Sequence, residues 1–184
     1  MVRALGHLLR ERPYRDLTLL DIVDTAEVPL NEIYRHSPGG KEALALELAT
    51  RALGGLERLA DRAEGRTDGA EAFLRALVDE QGERMAGADF ALVCPLTSLS
   101  LAATEAPESG PLGTAVADTL SAWMRTLAGR LRSKGLEPAA AERVAATVSA
   151  GLEGAIIVSR ATRNSAAFSH LSASVPALLA AGAA

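Results

Sequence analysis

The sequence predicts an all-α protein of about nine helices: an N-terminal three-helix helix-turn-helix head, residues 1–42, joined to a larger helical body, residues 43–184. Apolar residues recur at helical spacing, and no sustained period-two run of β-branched and aromatic residues appears. Hydrophobic residues make up 48% of the chain but aromatics only 3%, so the core must be built from Ala, Leu and Val, which suit close helix packing. The run Thr18 to Glu42, TLLDIVDTAEVPLNEIYRHSPGGKE, compresses two short helices, a tight turn and a third helix start into one segment.

The opening MVRALGHLLRERP reads as an amphipathic first helix, since its apolar run is too short and too charged for a signal peptide. Thr18 stands three residues before Asp21, a capping-box arrangement that starts a second helix near Leu19. Ile22, Ala26, Val28 and Ile33 then fall at spacings that let this helix and the next share one buried face. Pro29 opens the next helix, because a first-turn N–H has no partner to lose and the fixed φ of proline suits a helix. Leu30 to His36 is its body, and Ser37, Pro38, Gly39 and Gly40 end it. From Lys41 to about Glu64 a long connecting helix follows, with Leu44, Leu48 and Leu53 at roughly helical spacing.

Three breaks divide the body. Gly65 to Gly69 precedes a helix that Asp68 and Glu71 would cap, with Phe73, Leu77 and Val78 on one face and an end near Gly87. Ala103 to Gly113, containing Pro107, Gly110 and Pro111, reads as a loop before a helix from about Leu112 to Lys134. Gly135 caps that helix, Pro138 starts the next, which runs to about Thr162, and a last helix covers about Ser165 to Ala181.

Charge and residue inventory exclude several classes. The net charge of −4 argues against a broadly basic nucleic-acid coat. In residues 1–41, Arg3, Arg10, Arg12, Arg15, Arg35 and Lys41 are matched by Glu11, Asp16, Asp21, Asp24, Glu27 and Glu32, so any phosphate contact must be local. The single cysteine, Cys94, excludes an intramolecular disulfide and a cysteine zinc cluster and is compatible with a reducing compartment. His7, His36 and His170 are far apart, no nucleophile motif is present and no glycine loop follows a strand. No catalytic residue, cofactor or metal is expected. No window reads as long and apolar enough to span a membrane, and a cytoplasmic protein is expected.

Thr18, Ile22, Ala26, Val28, Ile33-Tyr34-Arg35-His36 and Lys41-Glu42 stand in the register of an N-terminal signature that runs Thr, Ile-Ala, Ala-Gly-Val, a small residue, Leu-Tyr-x-His-Phe and Lys-Glu. On these residues the chain resembles the TetR family of transcriptional regulators. The resemblance implies that the second and third helices form a DNA-reading helix-turn-helix. It places Thr18, Tyr34 and Lys41 where family members touch phosphates, and Asn31, Glu32 and Arg35 toward base edges or the backbone. Pro29, Leu30 and His36 complete the candidate DNA surface. The departures are Glu27 at the turn glycine, Val23 for a small alanine and Ser37 for a phenylalanine. A Cβ at a turn position that favours φ > 0 costs on the order of 1 kcal/mol unless the turn is remodelled.

Cys94-Pro95-Leu96, Ser121-Ala122-Trp123, Gly151-Leu152-Glu153-Gly154-Ala155 and Ser159-Arg160-Ala161 look like the C-terminal domain of the LmrA/YxaF-like branch of that family. The resemblance implies a body that binds a small apolar or planar effector and a homodimer paired through the last two helices. Gly151, Gly154 and Ala155 would permit close helix approach, either between subunits or within one. Phe73, Leu77, Phe90, Cys94, Leu99, Trp123, Leu127 and Ile157 are candidates to line an effector site, or else core. Trp123 is singled out because an indole needs both an apolar neighbour and an N–H partner. Glu153 could anchor a polar ligand group or join an interface salt bridge. The expected function is a ligand-responsive regulator that binds double-stranded operator DNA, released as a repressor when effector favours another head spacing. The alternative is a small-molecule-binding dimer whose head has lost specific DNA binding.

Overall fold

The structure, a computed structural model, describes residues 1–104 and 110–182 and contains no strand among them. Pro107, in the expected loop, lies outside these residues. Among the described residues nine α-helices follow in order: α1 (Val2–Leu8), α2 (Leu19–Ala26), α3 (Leu30–His36), α4 (Gly40–Glu64), α5 (Ala70–Gly87), α6 (Pro95–Thr104), α7 (Pro111–Ser133), α8 (Pro138–Thr162) and α9 (Ala166–Gly182). A single 3-10 turn, Tyr14–Asp16, stands between α1 and α2.

Two compact units account for the packing. One comprises Met1–Gly54 and Val93–Leu120, the other Gly55–Leu92 and Ser121–Ala184. This division differs from the expected boundary after residue 42, because α6 packs on the 3-10 turn and so joins the unit that holds α1 to α3. A helix at α6 had no signal in the sequence beyond the Cys94-Pro95-Leu96 motif. Pro95 occupies its first position, where a missing N–H costs nothing.

In the first unit, Leu5, Leu17, Ile22, Ile33, Leu44, Ala45, Leu96 and Leu99 are essentially inaccessible to solvent. Gly6 of α1 faces Leu48 of α4, where a Cβ would stand 3.5 Å from Cδ1, an ordinary van der Waals contact. In the second unit α9 packs along both α8 and α5. The contact depends on small residues: a Cβ on Gly82 would stand 3.1 Å from Phe168 Cβ, and one on Gly151 only 2.8 Å from Leu171 Cδ1. Gly151 and the buried Ala155 therefore serve packing within the subunit, whereas a Cβ on Gly154 would meet nothing within 4 Å. Pro176 lies inside α9, which continues past it, with Val175 beside it fully buried. The expected cap of α5 by Asp68 is absent, because Gly69 holds the N-cap with φ 80° and no side chain bonds there.

By length and composition α8, 25 residues, does reach the threshold for crossing a membrane, contrary to the reading of the sequence. Its apolar character has another use here. Val144, Val148, Leu152, Ala155 and Ile156 are buried within the second unit, so α8 is a core helix of that unit.

Ion pairs fasten the C-terminal half of α4. Glu80 accepts from Arg62 at 2.6 Å and from Arg66, and Arg130 donates to Asp61 at 2.5 Å and to Glu64. Lys134 pairs with Glu64 at 3.1 Å and sits over the Phe73 ring, 5.3 Å from its centroid. Burial alone would raise the pKa of Glu64 and of Glu80, but their cationic partners outweigh it and hold both below the ordinary 4.5. A carboxylate depressed in the fold contributes stability that is complete above its unfolded value and is lost as pH falls through its folded value. Thermal midpoints are therefore expected to drop as pH is taken from about 5 toward 3, and Glu64→Gln or Glu80→Gln to flatten the drop. Calorimetry across that range checks it.

Candidate nucleic-acid interface and ligand site

The head is assembled around one capping box. The Thr18 hydroxyl accepts from the Asp21 amide at 3.2 Å and donates to Asp21 Oδ2 at 2.6 Å, while the Thr18 amide donates to the same oxygen at 2.7 Å. Arg12 adds a bond to Asp21 Oδ1 at 2.7 Å. The Thr18 hydroxyl, then Arg12, hold the Asp21 carboxyl well below the usual carboxylate range. The Thr18–Asp21 pair was legible at three-residue spacing; Arg12 had no local signal, standing nine residues from its partner.

The turn keeps the geometry a glycine would prefer. Glu27 caps α2 in the left-handed region at φ 54° and ψ 42°, so the turn is not remodelled and the Glu27 backbone carries the strain. Pro29, with φ −65° and ψ 147°, is the N-cap of α3 and not its first helical residue, one position earlier than expected. Ser37, in place of an aromatic, is 6% exposed and closes α3 through its amide on Ile33 O at 2.6 Å.

Ile33 is the buried side chain of α3, and Leu30, Asn31, Tyr34, Arg35 and His36 all face solvent. Tyr34 is 55% exposed and Leu30 40%. Glu32 draws in the neighbouring bases: its Oε2 lies 2.5 Å from Arg35 Nη2 and 3.2 Å from His36 Nε2. Removing that carboxylate returns one positive charge to the outward face. Glu32→Gln is expected to tighten binding to duplex DNA at low salt and to steepen the log affinity versus log salt slope by about one. Titrations at several salt concentrations read this directly.

Lys41, expected at a phosphate, is already engaged. Its ammonium donates to the carbonyls of Leu17 at 2.7 Å and Tyr14 at 3.1 Å and lies 4.4 Å from the Tyr14 ring centroid. Burial lowers its pKa, opposed by Asp16 and Asp21, and burial pushes the Tyr14 phenol up to about 12. Lys41 thus ties the start of α4 to the segment before α2. Tyr14, 27 residues away, is a partner no short-range pattern announces.

The effector candidates fall in both units. Phe73, Leu77, Trp123 and Leu127 are closed interior positions of the second unit, 0–2% exposed, and Phe73 is covered by Lys134. Phe90 is half-buried in the same unit and holds φ 57° directly after Asp89 at φ 49°. Arg163 donates to both Asp89 oxygens at 2.8 Å, and Arg160 donates to Ala91 O at 2.9 Å. Glu153 is half-buried on α8. Cys94 is half-buried and Leu99 buried in the first unit. Ile157 does not belong with the interior positions: it is 55% exposed beside Val158, 49% exposed, on the outer side of α8. Its helical phase, one turn from Gly154 and two residues from buried Ala155, turns it outward.

Comparison with known proteins agrees with the all-helical fold. Residues 70–174 match the family model for the C-terminal domain of LmrA/YxaF-like transcriptional regulators. The chain is similar to the HTH-type transcriptional regulator LmrA of Bacillus subtilis (strain 168), 30% identical over 185 residues, 97% of this chain and 94% of that protein. It is 28% identical over 167 residues to an HTH-type transcriptional regulator of Mycobacterium tuberculosis (strain ATCC 25618 / H37Rv), 89% of this chain and 84% of the other. In fold it matches the crystal structure of regulatory protein TetR from Rhodobacter sphaeroides, TM-score 0.79 at 22% identity, covering 95% and 94% of the two chains. A helix-turn-helix with a solvent-facing second helix, on a chain whose relatives are regulators and not enzymes, has one reading: this protein belongs to the TetR family of transcriptional regulators, in the branch with an LmrA/YxaF-like C-terminal domain.

Proposed function

We propose that the protein is a ligand-responsive repressor: a homodimer paired through α8 and α9 that sets two α3 helices into successive major grooves and leaves its operator when a small apolar or planar effector binds. The observation that supports this most is the outward face of α3, where Leu30, Asn31, Tyr34 and Arg35 project from a helix anchored by Ile33. A head that reads one half-site needs a two-fold partner to hold a second head about one helical turn away. Residues 1–42 act as the DNA-binding domain. In it Asn31 and Leu30 meet bases, Pro29 meets a groove wall, and Thr18, Tyr34, Arg35, His36 and Lys41 meet the DNA backbone. Apolar positions of the second unit, Phe73, Leu77, Phe90, Trp123 and Leu127, supply the effector site, with Glu153 as its polar anchor.

Exposed Gly154, Ile157 and Val158 on α8 support pairing through this helix, since apolar surface next to a glycine lets a second backbone approach. Gly154→Arg is expected to leave each subunit folded, because nothing within the subunit stands near its Cβ, and to convert dimer to monomer. Sedimentation checks the mass and circular dichroism the fold.

The whole reading is tested by anisotropy titration against duplex DNA from around the protein's own coding region, with competitor DNA at low and moderate salt. Saturable binding that survives competitor supports it, and release of that DNA then identifies effectors. Weak binding equal for all sequences favours the second reading, a ligand-binding dimer with a disabled head. That reading draws support from Glu32 beside Arg35 and from the two Lys41 bonds already made inside the head.

A further inference from the structure

The outward face of α3 combines exposed apolar surface with a restrained cation. Leu30 is 40% exposed and Tyr34 is 55% exposed one turn on, while Arg35 is held at 2.5 Å by Glu32. Asn31, next to Leu30, is exposed. In the major groove guanine offers two acceptors that suit a free Arg or Lys fork, adenine suits the amide of Asn or Gln, and thymine presents a methyl group to apolar side chains. In adjacent positions α3 offers the second and third of these partners, and Glu32 holds back the first.

We propose that α3 reads A·T pairs, with the Asn31 amide on adenine N6 and N7 and Leu30 against a thymine methyl, and that Arg35 contributes no guanine discrimination. This rests on the placement of α3 in the groove given above. It adds the base chemistry of the half-site and names Leu30 as a specificity-determining residue. Leu30 stands at the start of α3, where a recognition helix brings its first residues to base edges. A leucine 40% exposed there leaves apolar surface in water that the fold does not cover and that a methyl group can dry.

The test selects duplexes from random sequence on the full-length protein, then measures anisotropy titrations on the selected half-site with single thymines replaced by deoxyuridine, which removes only the methyl. The expected half-site is A·T at the contacted positions. Deoxyuridine at one or two of them weakens wild-type binding roughly fourfold, the worth of one buried methyl, and costs Leu30→Ala nothing further. Leu30→Met, still apolar, retains the sensitivity. Deazaadenine, with carbon in place of N7, weakens wild type roughly tenfold and leaves Asn31→Ala unchanged.

Deoxyuridine neutral at every position, or equally costly to Leu30→Ala, overturns the thymine contact. A G·C half-site whose preference disappears with Arg35→Ala overturns the whole assignment. Failure of the α3 placement looks different: Leu30→Ala, Asn31→Ala and Tyr34→Ala would each bind the selected duplex as wild type does. A selection that returns no preferred sequence overturns the assignment and specific DNA reading together. All three side chains are exposed, so the variants are expected to melt as wild type does, which circular dichroism verifies.

Discussion

Phe168→Ala is expected to cost about 3–5 kcal/mol of folding stability, a large fraction of what a domain of this size has. Phe168 is 2% exposed on α9 and packs against Gly82 of α5, where its Cβ and Cγ stand 3.1 and 3.3 Å from the place a Cβ on residue 82 would take. Removing the ring leaves a cavity on the contact that joins α5 to α9, and the backbone-proximal atoms around it have little freedom to collapse into it. Gly82 supplies a second, signed test. Gly82→Ala gains about 1 kcal/mol of helix propensity but forces its methyl into Phe168 atoms that cannot swing away, so in wild type it is expected to destabilise. In the Phe168→Ala background the ring contacts are gone while the Cβ contact at 3.1 Å stays, so the same substitution is expected to destabilise less than it does in wild type. Urea unfolding of the four proteins of this cycle, at one protein concentration, measures both effects. A stabilising Gly82→Ala in wild type would mean that α5 and α9 are not packed through this pair.

Ile33→Ala is expected to weaken the proposed DNA-binding surface from inside the head. Ile33 is fully buried, α3 is 7 residues long, and no side chain caps its N-terminus. A helix that short does not persist in water on its own propensity, so α3 exists because Ile33 docks it. Losing the anchor costs about 2–5 kcal/mol, drawn chiefly from the local stability of α3. With the binding-competent fraction reduced accordingly, affinity for duplex DNA is expected to fall roughly tenfold to a hundredfold. Self-association is expected to stay as it was. Hydrogen exchange should show α3 amides losing protection while those of α8 keep theirs. Loss of protection in both would show that Ile33 stabilises the whole chain and not the head alone.

The two substitutions divide what was readable from what was not. Ile33 was legible because its spacing from Ile22, Ala26 and Val28 repeats the helical period across a turn, and the pattern needs no distant partner. Phe168 was not singled out, since one aromatic in an alanine-rich tail has no period of its own and the partner that makes it matter, Gly82, is 86 positions away. Among the glycines of α8 the sequence left the contact of Gly151 and Gly154 open between subunits and within one. Only packing separated them, filling the space at Gly151 with Leu171 and leaving Gly154 bare. The same holds for Ile157, placed with core candidates by composition and turned outward by its phase on α8.

By itself the sequence determined the all-helical class, most helix limits, the Thr18–Asp21 cap, the helix-turn-helix and the family resemblance, because each depends on residues within a few positions of one another. Tertiary structure alone decided that Lys41 braces Tyr14 and Leu17, that Glu32 restrains Arg35, that α6 belongs to the unit of the head, and that apolar α8 is a core helix of its unit. Most of these depend on which distant groups meet or on which rotamer a long side chain takes, and neither is written in local spacing.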